Sequence, residues 1–464
     1  MKTYGLSPEI QPVSDWVLCG AEDEEPKEWL YIGRLDEYGR KYNVKFDTSK
    51  EKVMAVFGKR GQGKSYTLGS LIEGLITERQ KSSIAHTSKN RAVLIFDTLN
   101  IFQWMHIPLD KNSKLDEVKK QSKILSGWGI EPEKLNVDIW VPAGYRYELT
   151  PENYNDFFMD VSAFTIDDWG ALLDLDIVRD IKGQFFAEIF YKVTDIGWKD
   201  NDGKQYEGNK NYTIQDLLKC IQYDSEKDFG IYKEETRRAV LQQLRSYASH
   251  KIFSGGSTGL RDLLKPGRAA VILLNRLPED LRAVLTSAIV RRLVQERAEA
   301  SENVKDLMVN TSLDNKIRDR KLEFVNKSIP KTWVVIDEAQ NVIPSGRKTS
   351  ATKSIIKLVK EGRNFGLSFV VTTQQPKSLN IDVLSQVETF IIHKLVSYGD
   401  IDCVMENLKC PLPTEIKDDY DTINPKELIR DITTGQALVS DTNTKRCFVM
   451  RVRPRVSIHG GFEA

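Results

Sequence analysis

Residues 58–65 read Gly58-Lys-Arg-Gly-Gln-Gly63-Lys64-Ser65, an uninterrupted G-x-x-x-x-G-K-S. Such a match arises by chance in about 1–2% of chains of this length, so its surroundings decide what it means. Before it lies Val53–Phe57, five apolar residues in a row, the profile of a strand buried on both faces. After it, Leu68, Leu71, Ile72, Leu75 and Ile76 repeat at helical spacing. A strand, a glycine turn and a helix in that order point several backbone N–H groups and the positive helix end at one spot. The turn is therefore a phosphate cradle. Gly58, Gly61, Gln62, Gly63, Lys64, Ser65 and Tyr66 form its expected ATP contacts, with Lys64 reaching the β- and γ-phosphates and Ser65 ligating Mg²⁺.

A strand feeding a helix constrains the rest of the chain to an α/β plan. Short apolar runs recur at Val93–Phe96, Val137–Val141, Ala269–Leu274, Thr332–Ile336, Ser368–Thr372 and Thr389–Ile392, with Gln436–Ser440 as a further strand at an edge. Helical patterns separate them, which predicts a mostly parallel sheet covered on both faces. Residues 1–50 are polar and irregular with short strand-like pieces near Trp29–Gly33, and residues 300–331 are charged enough to predict an exposed loop or insertion. The organisation that follows is an N-terminal region over 1–50, a core over 51–109, a mostly helical block over 110–255 anchored by Trp169, Phe185, Phe186 and Tyr191, the rest of the core over 256–445, and a C-terminal segment over 446–464.

Composition narrows the function classes. Sixty-seven Lys and Arg against 66 Asp and Glu leave no overall basic footprint for nucleic acid, although a local basic ring in an assembly is compatible with this balance. No apolar run approaches the roughly 20 residues that span a bilayer, and no signal peptide opens the chain, which predicts a cytoplasmic protein without a membrane. The five cysteines show neither a zinc spacing nor an even framework, so reduced thiols are expected.

Further chemistry gathers downstream. Trp333-Val-Val-Ile-Asp337-Glu338 is a strand ending in two carboxylates, one to hold magnesium through water and one to act on an attacking water. Glu338 points to hydrolysis rather than transfer. Gln374, in Thr372-Thr373-Gln374-Gln375-Pro376, is expected at the end of a neighbouring strand within reach of a γ-phosphate. Arg363 lies in Glu361-Gly-Arg363-Asn-Phe-Gly366, where an ordinary surface ion pair is the competing reading. Asp97 closes its strand as a turn cap before it is a nucleotide contact. His86, His106, His250 and His393 lack ligand spacing, and Arg237-Arg238 and Arg291-Arg292 fall on helices.

The set GKRGQGKSYTLG, VVIDEAQN, EGRNFG and TTQQP, with the closing RVRPRVSIHGG, resembles the HerA-like branch of the HerA/FtsK superfamily of hexameric ATPases over residues 50–460. The resemblance implies a RecA-like P-loop ATPase core with a large helical insertion. It implies Walker A roles for Lys64 and Ser65, Walker B roles for Asp337 and Glu338, a sensor role for Gln374, and an Arg363 that serves the neighbouring subunit's γ-phosphate. Arg453, Arg455 and His459 match a segment that braces the adjacent subunit, which adds Arg453 to the expected nucleotide contacts. The partners it implies are a homohexamer, double-stranded DNA as cargo, and a nuclease or other effector on a separate chain, in DNA repair or anti-phage defence. Two other readings stand beside the translocase: a nucleotide-regulated scaffold that activates an effector, and a secretion-type ATPase. Family members carry a β-barrel before the P-loop that is longer than residues 1–50, so a reduced barrel or a different docking element is expected there.

Overall fold

The computed structural model describes residues 6, 16–20, 26–36, 42–77, 84–88, 90–225, 232–254, 256–310, 312–410, 412–417 and 422–461. Its frame is a 14-stranded sheet. In chain order the strands are β1 (Trp16–Cys19), β2 (Trp29–Leu35), β3 (Asn43–Asp47), β4 (Val53–Phe57), β5 (Ala85–His86), β6 (Arg91–Asp97), β7 (Val137–Pro142), β8 (Asn155–Phe157), β9 (Ala269–Leu273), β10 (Lys331–Ile336), β11 (Leu367–Thr373), β12 (Thr389–Ile392), β13 (Gln436–Asp441) and β14 (Arg446–Val452). Their spatial order is β1-β3-β2-β14-β13-β12-β4-β11-β10-β6-β9-β7-β8, with β5 on β2.

From β12 to β8 every pairing is parallel. The ends of β4, β6, β10, β11 and β12 therefore share one edge, where ligands of open parallel sheets bind. Side chains alternate across the sheet. Val53, Ala55 and Phe57 join one apolar core, while Met54 and Val56 join the other. Both faces are buried, which is why these strands read as unbroken apolar runs.

Two expectations need correction, the edge position of Gln436–Ser440 and the loop over 300–331, and the N-terminal region contributes strands of its own. Gln436–Asp441 is an interior strand, hydrogen-bonded antiparallel to β12 and to β14. Described residues of the first 50 form β1–β3, and β2 pairs with β14, so they extend the sheet. The stretch 300–331 carries two helices: Glu279–Val309 runs for 31 residues, about 46 Å, and Asn315–Lys327 packs back along it. The second helix fully buries no residue; Phe324 and Val325 are half-buried, and polar ties such as Lys321–Asp306 and Lys327–Glu323 accompany them.

Strands β7 and β8 carry the sheet into the stretch 110–255, and helices dominate beyond Phe157. Trp169, Phe185 and Phe186 are fully buried in that block, whereas Tyr191 is exposed. Arg291 and Arg292 of the long helix tie the block down through Asp168 (2.6 Å) and Asp160 (3.2 Å). Among the described residues no helix is long and apolar enough to cross a membrane.

Candidate active site

The cradle forms where β4 ends. Gly58 has φ 157° and Gly63 has φ 104°, conformations that side chains resist. A Cβ on Gly58 would also lie 2.7 Å from Cβ of His393. The loop is pinned behind by Lys59 N donating to Lys394 O (2.8 Å) and His393 N donating to Phe57 O (2.8 Å). Helix Lys64–Ile76 follows with no side-chain cap on its first turn, so its N-terminal donors remain for an anion. Gln62 Oε1 accepts from Thr434 Oγ1 (3.4 Å), Ser65 is half-exposed in the first turn, and Gly61 sits exposed at the loop tip.

His393 is fully buried beneath the loop. Its Nδ1 bonds Gln436 O (2.8 Å), which fixes Nδ1 as the protonated nitrogen and leaves Nε2 to accept from Thr67 Oγ1 (2.9 Å). Burial holds it down to about 4, as a neutral core residue.

Opposite the loop, β10 delivers Asp337 and Glu338. One strand, β11, separates β10 from β4 and places Gln374 between them. Glu338 is buried and takes a left-handed backbone, φ 48°, a strained conformation for a non-glycine residue. Its carboxylate accepts from Gln374 Nε2 (2.7 Å) and Gln340 Nε2 (2.9 Å) and lies 3.6 Å from Lys64 Nζ. Lys64, Glu338 and Gln374 thus form one network. Burial lowers the pKa of Lys64, and Glu338 and Asp337 oppose that.

Asp337 Oδ1 accepts from Thr372 Oγ1 (2.6 Å), and the same hydroxyl accepts from Glu338 N (3.1 Å). Oδ2 is buried with no hydrogen-bond partner. An orphaned carboxylate oxygen at this position fits a hydrated divalent cation. Burial first, then the nearby Asp97 carboxylate, pushes Asp337 up to about 7, and a bound cation would favour the ionised form. Asp97 accepts from the backbone N–H groups of Leu99, Ile101 and Phe102, which makes it a turn cap.

Two expected residues lie elsewhere. Arg363 sits in the turn Gly362–Phe365 before β11, at the opposite sheet edge, paired with Glu388. The seven residues of β11 separate it from Gln374 by about 23 Å, and its side chain is 41% exposed. For Arg453 the expectation of a nucleotide contact is corrected. It is fully buried within its own chain, donating to Glu73 Oε2 (3.0 Å) and Tyr31 O (2.7 Å). Glu73 is nine residues beyond Lys64 on the same helix, about 13 Å away.

Arg455 joins it at Glu73 Oε1 (3.1 Å), and Tyr66 OH accepts from Arg455 N (2.9 Å) with its ring edge on His459. Tyr66 therefore turns its side chain to the C-terminal segment, which braces its own phosphate-loop helix. Sequence reasoning missed Thr372, Gln340 and Glu73. The first two stand inside motifs already singled out, whereas Glu73 carries no local signal.

A phosphate loop at the end of β4, carboxylates at the end of β10 and a glutamine on the strand between define a P-loop ATPase. The family profile described as Helicase HerA, central domain, matches residues 30–293, more than half of the chain, and the chain belongs to that family. The DNA double-strand break repair helicase HerA of Pyrococcus furiosus is 28% identical over 234 residues, 47% of this chain and 41% of that protein. Its counterpart in Saccharolobus solfataricus is 22% identical over 420 residues, 88% of this chain and 68% of that protein. The chain thus matches about two-fifths of the Pyrococcus relative's length. VirB4 of Thermoanaerobacter pseudethanolicus aligns with a TM-score of 0.52 at 12% identity, covering 93% of this chain and 98% of that one, a likeness of fold.

Proposed function

We propose that this chain is the subunit of a cytoplasmic homohexameric ring that hydrolyses ATP to move double-stranded DNA, working with a nuclease or other effector on a separate chain. The observation that carries it is the position of Arg363. Lys64 faces the site from its own chain, while Arg363 stands half-exposed about 23 Å away at the other edge. Only a neighbouring copy brings the two together, which makes turnover depend on assembly. The reading of DNA as cargo is supported by relatives that are DNA double-strand break repair helicases.

In this reading ATP lays its phosphates on the loop from Gly58 to Gly63, and Lys64 and Gln374 leave Glu338 for the γ-phosphate. Glu338 Oε1 is then free to accept a proton from the attacking water as that water bonds to γ-phosphorus and the bond to ADP breaks. Ser65 and Asp337 would hold Mg²⁺, whose chemistry is to neutralise the phosphate oxygens. The neighbour's Arg363 places a further positive charge on the transferring group.

The test is ATP hydrolysis with and without linear double-stranded DNA, alongside mass in solution. DNA-stimulated turnover in a ring-sized species that Arg363→Ala abolishes is the expected result. A fully active monomer overturns the trans site. Hydrolysis indifferent to DNA in a ring-sized species overturns the motor and favours the scaffold.

A further inference from the structure

Arg363 stands on the four-residue turn Gly362–Phe365, and that turn is not held by its own strand alone. Helix Glu279–Val309 passes behind it. Arg297 of that helix donates through Nε to Phe365 O (2.8 Å) and through Nη1 to Ile329 O (2.9 Å). One helical turn further on, Ser301 Oγ donates to Asn364 O (3.0 Å). Gly366 closes the turn with φ 80°, and a Cβ there would lie 3.1 Å from Arg297 Nη2 and 2.7 Å from Lys331 Cγ. Glycine thus makes room for the guanidinium as well as for the left-handed backbone.

We propose that Arg297, assisted by Ser301, is the positioning residue that presents Arg363 to the neighbouring subunit. The proposal rests on the trans reading of Arg363. A planar guanidinium holds its donors in a fixed fork that spans two carbonyls at once, whereas a lysine ammonium concentrates its donors at one point on a flexible stem. The carbonyls it joins precede β10 and β11, so the turn is referenced to the strands whose far ends carry Glu338 and Gln374. Glu388 pairs with the Arg363 guanidinium, while Arg297 and Ser301 fix the backbone of the turn it stands on, and a misplacement of about 1 Å can cost about 10²-fold in rate.

The test uses full-length protein and mixed rings. Arg297→Ala is expected to lower kcat for ATP by about 10- to 100-fold with KM little changed, because the cradle is untouched. Arg297→Lys should fall between, and Ser301→Ala should show a smaller loss; these two serve if the alanine variant does not fold. Each variant is then mixed with Glu338→Gln subunits, which lack the catalytic carboxylate and keep an intact Arg363. At equal amounts about one interface in four pairs a sound cradle with a sound arginine.

Activity returning on mixing, for Arg297→Ala as for Arg363→Ala, supports the proposal, because a fault confined to the variant's own cradle is not repaired by a neighbour. Arg297→Ala as active as the natural protein overturns it. Restoration for Arg363→Ala but not for an impaired Arg297→Ala overturns it while the trans reading stands. No restoration for Arg363→Ala overturns both.

Discussion

Removing Glu73 tests how the C-terminal segment is held. Glu73, Arg453 and Arg455 are each fully buried. The carboxylate accepts from Arg453 Nη1 (3.0 Å), Arg455 Nε (3.1 Å), Val456 N (3.1 Å), Ser457 N (3.0 Å) and Ser457 Oγ (2.6 Å). Gly69 on the same helix leaves the space Arg455 needs, since a Cβ there would lie 2.5 Å from Nη1. Glu73→Ala strands two guanidiniums in a dry interior. Breaking a buried pair by deleting one partner costs about 3–5 kcal/mol. At about 2 cal/mol/K per residue over 464 residues the unfolding entropy is about 1 kcal/mol/K, so cooperative unfolding of the whole chain implies a Tm lowered by about 3–5 °C.

The assay is thermal unfolding followed by calorimetry or circular dichroism. A double-mutant cycle with Arg453→Met apportions the coupling and should return about 0.5–3 kcal/mol. The arginines hold Glu73 below its usual value of 4.5 despite the opposing effect of burial. Its contribution is therefore present above about 4.5 and lost as pH falls through its folded value, so variant and natural protein should converge in acid. A Glu73→Ala melting point within about 1 °C of the natural protein at pH 7 would refute the reasoning, since no buried charge would then have been left uncompensated.

Glu338→Gln keeps a side chain of the same shape for Gln374 and Lys64 but accepts no proton, so hydrolysis should fall by about 10²–10⁴-fold while nucleotide binding persists. Phosphate release and fluorescent-nucleotide titration check the two halves, and loss of binding would point to a structural role. His393 stays neutral down to about 4 when folded but titrates near 6.5 when unfolded, so the unfolded chain takes up protons first and stability should drop as pH falls from about 6.5 toward 4. His393→Asn should flatten that part of the pH–stability curve, measured by denaturant unfolding across the window; an unchanged slope would remove His393 as the cause.

The alternation of apolar runs and helical patterns made the α/β plan legible, because strands buried on both faces leave no other sequence profile. The cradle and the paired carboxylates were legible for a similar reason: phosphate binding at a strand–helix turn demands particular residues at fixed local spacing. Helix Asn315–Lys327 was not, since its few apolar residues, Ile317, Leu322, Phe324 and Val325, are diluted by charge and none is fully buried. Nor was the interior place of Gln436–Asp441, because which strand neighbours which is settled between segments far apart in the chain.

The same division runs through the site. Lys64, Asp337, Glu338 and Gln374 meet because their strands are parallel and end at one edge, as the motifs led one to expect. Whether Arg453 faced a nucleotide or Glu73 depended on long-range packing, whereas the edge at which Arg363 stands follows from its place just before β11, with Gln374 just after it. Local chemistry is written in neighbouring residues, whereas the partner of a buried charge is chosen only when the whole fold closes around it.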